Sequence, residues 1–178
     1  LRVDPNEKDG YIKLGNSSFD LVLGDSNAPK DTIGILSRCK FDRLDILAKN
    51  GGVWDEIELQ KLNKVDLHLV EGTIRNRDIE RTASSKLLIE NQSVEELGAL
   101  MSEHHSILRD VLKISTPKIE KMCDAAINAG AVGAKIFGSG GGGCMIAMVP
   151  KSNGKSDLSL LAQIQSSIER IDGSITYH

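Results

Sequence analysis

The stretch "AKIFGSGGGGCMIAMVP", Ala134 to Pro150, sets four consecutive glycines between two apolar runs. Glycine loses more backbone entropy on folding than any other residue and offers no side chain to a core. A run of glycines between buried-looking strands therefore implies that something requires the missing side chains. Gly138, Gly140 and Gly143 satisfy G-x-G-x-x-G. A dinucleotide-binding turn of that form opens a helix and has an acidic residue about 20 positions further on. Here the glycines lead instead into "CMIAMV", which reads as a second strand. A nucleotide P-loop needs Gly-Lys-Ser/Thr, where this chain has Gly143, Cys144 and Met145. What remains is a strand-to-strand loop of backbone alone, either a concave nest of N–H groups that accepts an anion or a flexible hairpin. The apolar strands on both sides favour the nest, since a hairpin needs only one or two glycines.

Outward from the loop, Ala134 to Phe137 and Cys144 to Val149 are the flanking strands. Upstream, Thr116-Pro117 starts a helix with Pro in its first turn, and Ile119, Met122, Cys123, Ala126 and Ile127 form its apolar stripe up to Gly130. Ser93 and Glu96 make a capping box for the helix before it, with Leu97, Leu100, Met101, His104 and Leu108 on one face. Further back lie helices over about 32–50, 54–62 and 66–90, and two short strands, Tyr11 to Leu14 and Phe19 to Leu23, around a Gly-Asn-Ser-Ser turn. Downstream, a helix over about 157–171 buries Leu161, Ile164, Ile168 and Ile171, and Ser174 to Tyr177 is a last strand. The order is strand, helices, strand, glycine loop, strand, helix, strand. It predicts an α+β, ferredoxin-like split βαβ fold with a mostly antiparallel sheet and inserted helices.

Bulk properties narrow the function classes. The 178 residues suit one domain, and a net charge of −3 from 22 basic and 25 acidic residues has no long single-sign block. This gives no footprint for nucleic acid or an anionic membrane, so a small molecule or a protein is the expected partner. No apolar run approaches the roughly 20 residues needed to span a bilayer, and no signal peptide is evident. Cys39, Cys123 and Cys144 are far apart, with no CxxC pair. Together these point to a soluble protein of the reducing cytoplasm. The chain begins with Leu1 and not Met, which fits a piece of a longer gene product.

"GAKIFGSGGGGCMIAMV" resembles the third motif of the GHMP kinases, named for galactokinase, homoserine kinase, mevalonate kinase and phosphomevalonate kinase. "LGALMSEHHSILRDVLKISTPKIE" is similar to a galactokinase helix-and-turn stretch, matched at Leu100, Met101, Glu103, His105, Leu108, Arg109, Asp110, Ser115, Pro117, Ile119 and Glu120. "LVLGDSNAPKDT" looks like the strand and turn that open the C-terminal domain in this family. The resemblance covers about Phe19 to Val149.

The resemblance implies a single GHMP kinase C-terminal domain over 1–178, with a helical insertion at about 32–112 and the N-terminal ATP-binding domain absent. That missing half would carry the sugar signature, the P-x-x-x-G-L-S-S-S motif, the catalytic aspartate and most ligands of ATP and Mg2+. "LGNSS" at Leu14 to Ser18 is only a faint echo of the second motif, and "GILSRCKFDR" replaces the galactokinase Tyr-Asn-x-Arg-Arg stretch. Carried over, Gly138, Ser139, Gly140, Gly141, Gly142 and Gly143 line half of a nucleotide and substrate site, with no catalytic residue and no metal ligand in this chain. The implied activity is transfer of the ATP γ-phosphoryl group to a sugar hydroxyl, at C1 of galactose. The partner is an N-terminal kinase half, in cis or as a separate chain. The 178 residues alone are expected to be inactive. The alternatives are a heptose- or mevalonate-type GHMP kinase, and a non-catalytic module that kept this half of the fold.

Other polar residues read more plainly. Lys135 has a phosphate role or, more simply, a solvated strand position. His104 and His105 are adjacent and so cannot share a metal as i, i+4 histidines do. Packing or helix contacts are expected for both. His68 with Glu71, and Arg75, Arg77 and Arg81 with Asp78 and Glu80, read as exposed charged faces.

Overall fold

The computed structural model describes residues 2–3, 11–12, 17–30, 32–88 and 93–177. Strands β1 (Arg2–Val3) and β2 (Tyr11–Ile12) pair with each other as an antiparallel ribbon. The main sheet holds β3 (Phe19–Asp25), β4 (Gly133–Phe137), β5 (Cys144–Pro150) and β6 (Ile175–Tyr177), in the order β4-β5-β3-β6 with every neighbouring pair antiparallel. Strand β5 thus lies between β3 and β4, and β3 between β5 and β6, which is the split βαβ arrangement the sequence predicts. One correction concerns the two early strands. They do not pair with each other: β3 lies between β5 and β6 in the main sheet, and β2 takes β1 as its partner. Lys13 to Asn16 lie outside the described residues.

Alternation along the strands builds the core. Val22, Ala134, Ile136, Met145, Ala147 and Val149 are buried beneath α4 (Pro117–Asn128) and α5 (Leu158–Glu169). Those helices contribute Ile119, Met122, Cys123, Ala126, Leu161, Ile164 and Ile168. Full burial of each large apolar side chain stabilises the fold by about 1.5–3 kcal/mol. Gly24 belongs to the same face, where a Cβ would come within 3.0 Å of Met122 Cε and Met145 Sδ. Ile127 departs from the expected stripe and is exposed, since α4 meets the sheet along a narrower face. Thr116 caps α4 by accepting from the Ile119 amide, and Asp157 caps α5 through the Leu160 amide.

Between β3 and α4 come α1 (Thr32–Lys49), α2 (Lys64–Leu87) and α3 (Val94–Asp110). Helix α1 buries Ile35, Cys39 and Ile46 and leaves Ile33 exposed. The helix expected over 54–62 is instead two single 3-10 turns, Trp54–Glu56 and Leu59–Lys61. Helix α2 starts earlier than the pattern suggests, because Asn63 accepts from the amides of Val65 and Asp66. At α3, Ser93 caps the Glu96 amide, but the Glu96 side chain turns to Lys86 on α2, so only half of the capping box forms.

Helix α3 lies along the free edge of β4. Gly98 meets Gly133 backbone to backbone, and His105 Nδ1 accepts the Ile136 amide at 3.2 Å. The edge strand is thereby covered, and one of its outward N–H groups is satisfied.

Candidate functional site

The glycine loop, 138–143, leaves the end of β4 and returns into β5. Gly138, Gly140, Gly141, Gly142 and Gly143 all have positive φ. Two of them show why side chains are excluded. A Cβ on Gly140 would lie 2.6 Å from both Ile114 Cβ and the Ile114 carbonyl oxygen. A Cβ on Gly142, at φ 115°, would lie 2.5 Å from the Pro29 carbonyl oxygen. The loop is therefore wedged between two other segments, and it is not the flexible hairpin that its composition also allowed.

One wall is the segment from Ser26 to Lys30, which joins β3 to α1. The Ser26 amide donates to the Gly143 carbonyl at 2.8 Å, and Ser26 itself is fully buried. The turn is held locally, with the Asn27 amide on Asp25 Oδ1 and the Ala28 amide on Ser26 Oγ. The other wall is Ile114, whose carbonyl accepts the Gly141 amide at 2.7 Å. Among the described residues no partner is seen for the amides of Gly140 and Gly142. Backbone N–H groups in this conformation are suited to an anion.

Charge at the loop comes from a residue that motif reading overlooked. Lys30 is exposed, and its side chain runs across the loop. A Cβ on Gly143 would stand 2.7 Å from Lys30 Cε, and one on Gly138 would stand 3.2 Å from Nζ. An ammonium thus sits over the loop amides. Ser139 Oγ lies 3.5 Å from Thr32 Oγ1, so the loop also meets the first residue of α1, where the helix dipole is positive. The clue in the sequence was "APKDT", a lysine just before a helix start. Its connection to the loop needs the sheet register that pairs Asp25 with Cys144.

The Cys144 thiol, directly after the loop, is pushed up by burial and by the nearby Asp25 carboxylate, so it stays protonated and is no nucleophile. Among the described residues no group of three His, Cys, Asp or Glu side chains is placed to hold a metal ion. None of their helices is long and apolar enough to cross a membrane.

The remaining polar residues fall elsewhere. Lys135 is neither at the loop nor on a solvated face. It lines an apolar groove of about 360 Å3 with His104, Leu100, Met101 and Phe19, and burial lowers the pKa of its ammonium. Burial, then the nearby Lys135 and His105, push His104 down to about 4. His68 lines a separate cavity of about 430 Å3 with Cys39, Asp42 and Lys64. Arg75 pairs with Glu103, and Arg77 with Asp55, on exposed faces as expected.

The galactokinase-like positions do converge. Glu120, in the first turn of α4, takes Ser115 Oγ and stands 3.1 Å from His105 Nε2 on the same carboxylate oxygen. Arg109 reaches its other oxygen at 3.3 Å and also pairs with Asp110. Burial lowers the pKa of His105 and Glu120 partly opposes this, so the ring is neutral near pH 7. Since Nδ1 accepts from Ile136, the proton sits on Nε2, which lies 3.1 Å from Glu120 Oε1 but is not aligned on it as a hydrogen bond.

Residues 85–168 match the family described as GHMP kinases C terminal, a span that runs from the end of α2 through the glycine loop into α5. Over that span the chain is similar to a GHMP kinase C-terminal domain. A stretch of 57 residues is 53% identical to a mevalonate kinase of Thermococcus gammatolerans, covering 32% of this chain and 17% of that protein. A stretch of 104 residues is 29% identical to a galactokinase of Clostridium tetani, covering 54% of this chain and 26% of that protein. The fold superposes on Lactococcus lactis galactokinase complexed with galactose. The TM-score is 0.71 at 16% identity, over 93% of this chain and 46% of that one. The chain thus matches less than half the length of each of these proteins.

Proposed function

We propose that this chain is a GHMP kinase C-terminal domain, the C-terminal half of a cytoplasmic small-molecule kinase, in which residues 138–143 receive the phosphates of ATP. The observation that carries this is the loop itself. Its glycines are pressed against Ile114 and Pro29, amides such as those of Gly140 and Gly142 have no partner among the described residues, and Lys30 lies across it. Phosphoryl transfer asks a protein mainly for alignment and charge stabilisation, which backbone amides and one ammonium supply without reorganising. The residues present fit the phosphates. Mg-ATP would bring the phosphoryl group and the metal's charge neutralisation. The role of Gly138, Ser139, Gly140, Gly141, Gly142 and Gly143, with Lys30, is to hold that phosphate chain and keep side chains out of its way. The catalytic base and the metal ligands belong to an N-terminal half, in cis or as a second chain, and the helices over about 32–112 are an insertion into this domain.

For the acceptor we favour a sugar hydroxyl, at C1 of galactose, because the galactokinase-like residues His105, Arg109, Asp110, Ser115 and Glu120 form one connected cluster. The local 53% identity to a mevalonate kinase supports mevalonate as the second reading. The test is an ADP-release assay on the protein together with its N-terminal half, offered Mg-ATP with galactose, a heptose or mevalonate. Release with galactose is expected, and none from the 178 residues alone. Release with mevalonate and no sugar overturns the acceptor. ATP binding with no release for any alcohol makes the domain a non-catalytic module.

A further inference from the structure

The glycine loop is held from outside its own strands. Its central amide, Gly141 N–H, donates to the Ile114 carbonyl, and Gly140 packs against the Ile114 side chain. Ile114 sits in the irregular linker between α3 and α4, just after Lys113, which has a φ of 54°. Such a linker has no ladder to keep a carbonyl aimed within hydrogen-bond range of a loop 27 residues away in sequence. Backbone bonds tie it to α3, among them Leu112 N–H to the Ile107 carbonyl at 3.1 Å and Ile114 N–H to the Leu108 carbonyl at 3.0 Å, and Cys39 Sγ donates to the Leu112 carbonyl, but none of them holds the Ile114 carbonyl itself.

The next residue, Ser115, is anchored on Glu120 Oε1. That carboxylate is three-quarters covered, with 24% of its side chain exposed, and it also faces His105 Nε2 and Arg109 from α3. His105 continues the chain of contacts to β4, where Nδ1 accepts from Ile136, two residues before Gly138. One carboxylate thus joins α3, the linker, α4 and, through His105, the strand that enters the loop.

We propose that Glu120 and His105 are positioning residues of the phosphate loop. Glu120 fixes the linker so that the Ile114 carbonyl clamps Gly141, and His105 fixes the end of β4 so that the loop leaves it at a set point. Neither residue touches the phosphates. They act by holding the loop in place through the bond that Gly141 N–H makes to the Ile114 carbonyl. The proposal rests on the loop being a phosphate site, but the clamp is measurable with no nucleotide present.

The experiment compares Glu120→Ala, which removes the joint, with Glu120→Gln, which keeps an acceptor for Ser115 beside His105. Amide exchange is followed at Gly141 and, as a reference for global stability, at Val149 in β5 and Ile164 in α5. ATP dissociation constants are measured on the same protein. In Glu120→Ala, Gly141 exchanges at least about tenfold faster while Val149 and Ile164 keep their protection, and ATP affinity falls about tenfold. Glu120→Gln restores most of both. Ser115→Ala, which removes one bond and leaves no large cavity, gives the same pattern at smaller size and stands in should Glu120→Ala not fold. Unchanged Gly141 exchange, or equal loss of protection at Val149 and Ile164, overturns the clamp, as does failure of Gln to restore it. Faster Gly141 exchange in a protein that never binds ATP leaves the clamp standing and removes the phosphate reading instead.

Discussion

At the scale of the residue, the excluded side chains of the loop can be weighed against each other. Gly142 and Gly154 both have positive φ, at 115° and 73°, but a Cβ on Gly142 meets the Pro29 carbonyl at 2.5 Å while one on Gly154 meets nothing within 4 Å. An L-residue at positive φ costs on the order of 1–3 kcal/mol by itself. Gly154→Ala is therefore expected to lose only that strain, about 1 kcal/mol, and to keep its ATP affinity. Gly142→Ala must also push a backbone carbonyl away, so it loses about 2–3 kcal/mol and weakens ATP binding at least about tenfold. Urea unfolding and ATP titration of the two variants check this, and equal behaviour would remove the steric reason for the run of glycines. That these positions exclude side chains was legible in the sequence because only the run of glycines was needed. Lys30 was not, since a lysine before a helix is ordinary until the strand register brings it over the loop. Lys135 misled for the same reason. Its position before the glycines suggests the site, but strand alternation turns it to the face beneath α2 and α3.

At the scale of the element, α3 decides how the edge of the sheet is closed. A Cβ on Gly98 would lie 2.2 Å from the Val132 carbonyl oxygen, and one on Gly133 would lie 2.4 Å from the Gly98 carbonyl oxygen. The helix therefore approaches β4 at backbone distance, which fits His105 reaching the Ile136 amide. Replacing glycine by alanine inside a helix normally stabilises it by about 1 kcal/mol. Here overpacking outweighs that gain. Gly98→Ala is expected to lower stability by about 2 kcal/mol net and to speed amide exchange along 133–137, as read by denaturation and hydrogen exchange. A stabilised variant would show that α3 is not in backbone contact with the strand. Helices α3, α4 and α5 were legible from Ser93, Thr116 and Asp157 with the apolar stripes that follow them. The segment over 54–62 was not, because Trp54, Ile57, Leu59 and Leu62 pack on Ile46 and Val70 as two 3-10 turns, a spacing that also resembles a short helix.

At the scale of the whole molecule, the sheet order followed from the chain order of strands and helices, because a split βαβ arrangement leaves few other ways to pair four strands. The pairing of β2 with β1 did not follow, since a two-residue strand such as Arg2–Val3 carries no alternation to read. The proposed site is legible only as a half. Its loop, its lysine and the proposed buttress at Glu120 are in this chain, and the groups that perform the chemistry are proposed to belong to another half. The central claim is that loop 138–143 takes phosphate, and amide shifts of the 15N-glycine-labelled protein during titration with ATP, tripolyphosphate and adenosine test it most directly. ATP and tripolyphosphate are predicted to shift Gly138, Gly140, Gly141, Gly142 and Gly143 while Gly51, Gly52 and Gly154 stay fixed and adenosine moves none of the loop. Loop amides that stay in place at saturating ATP would contradict the account.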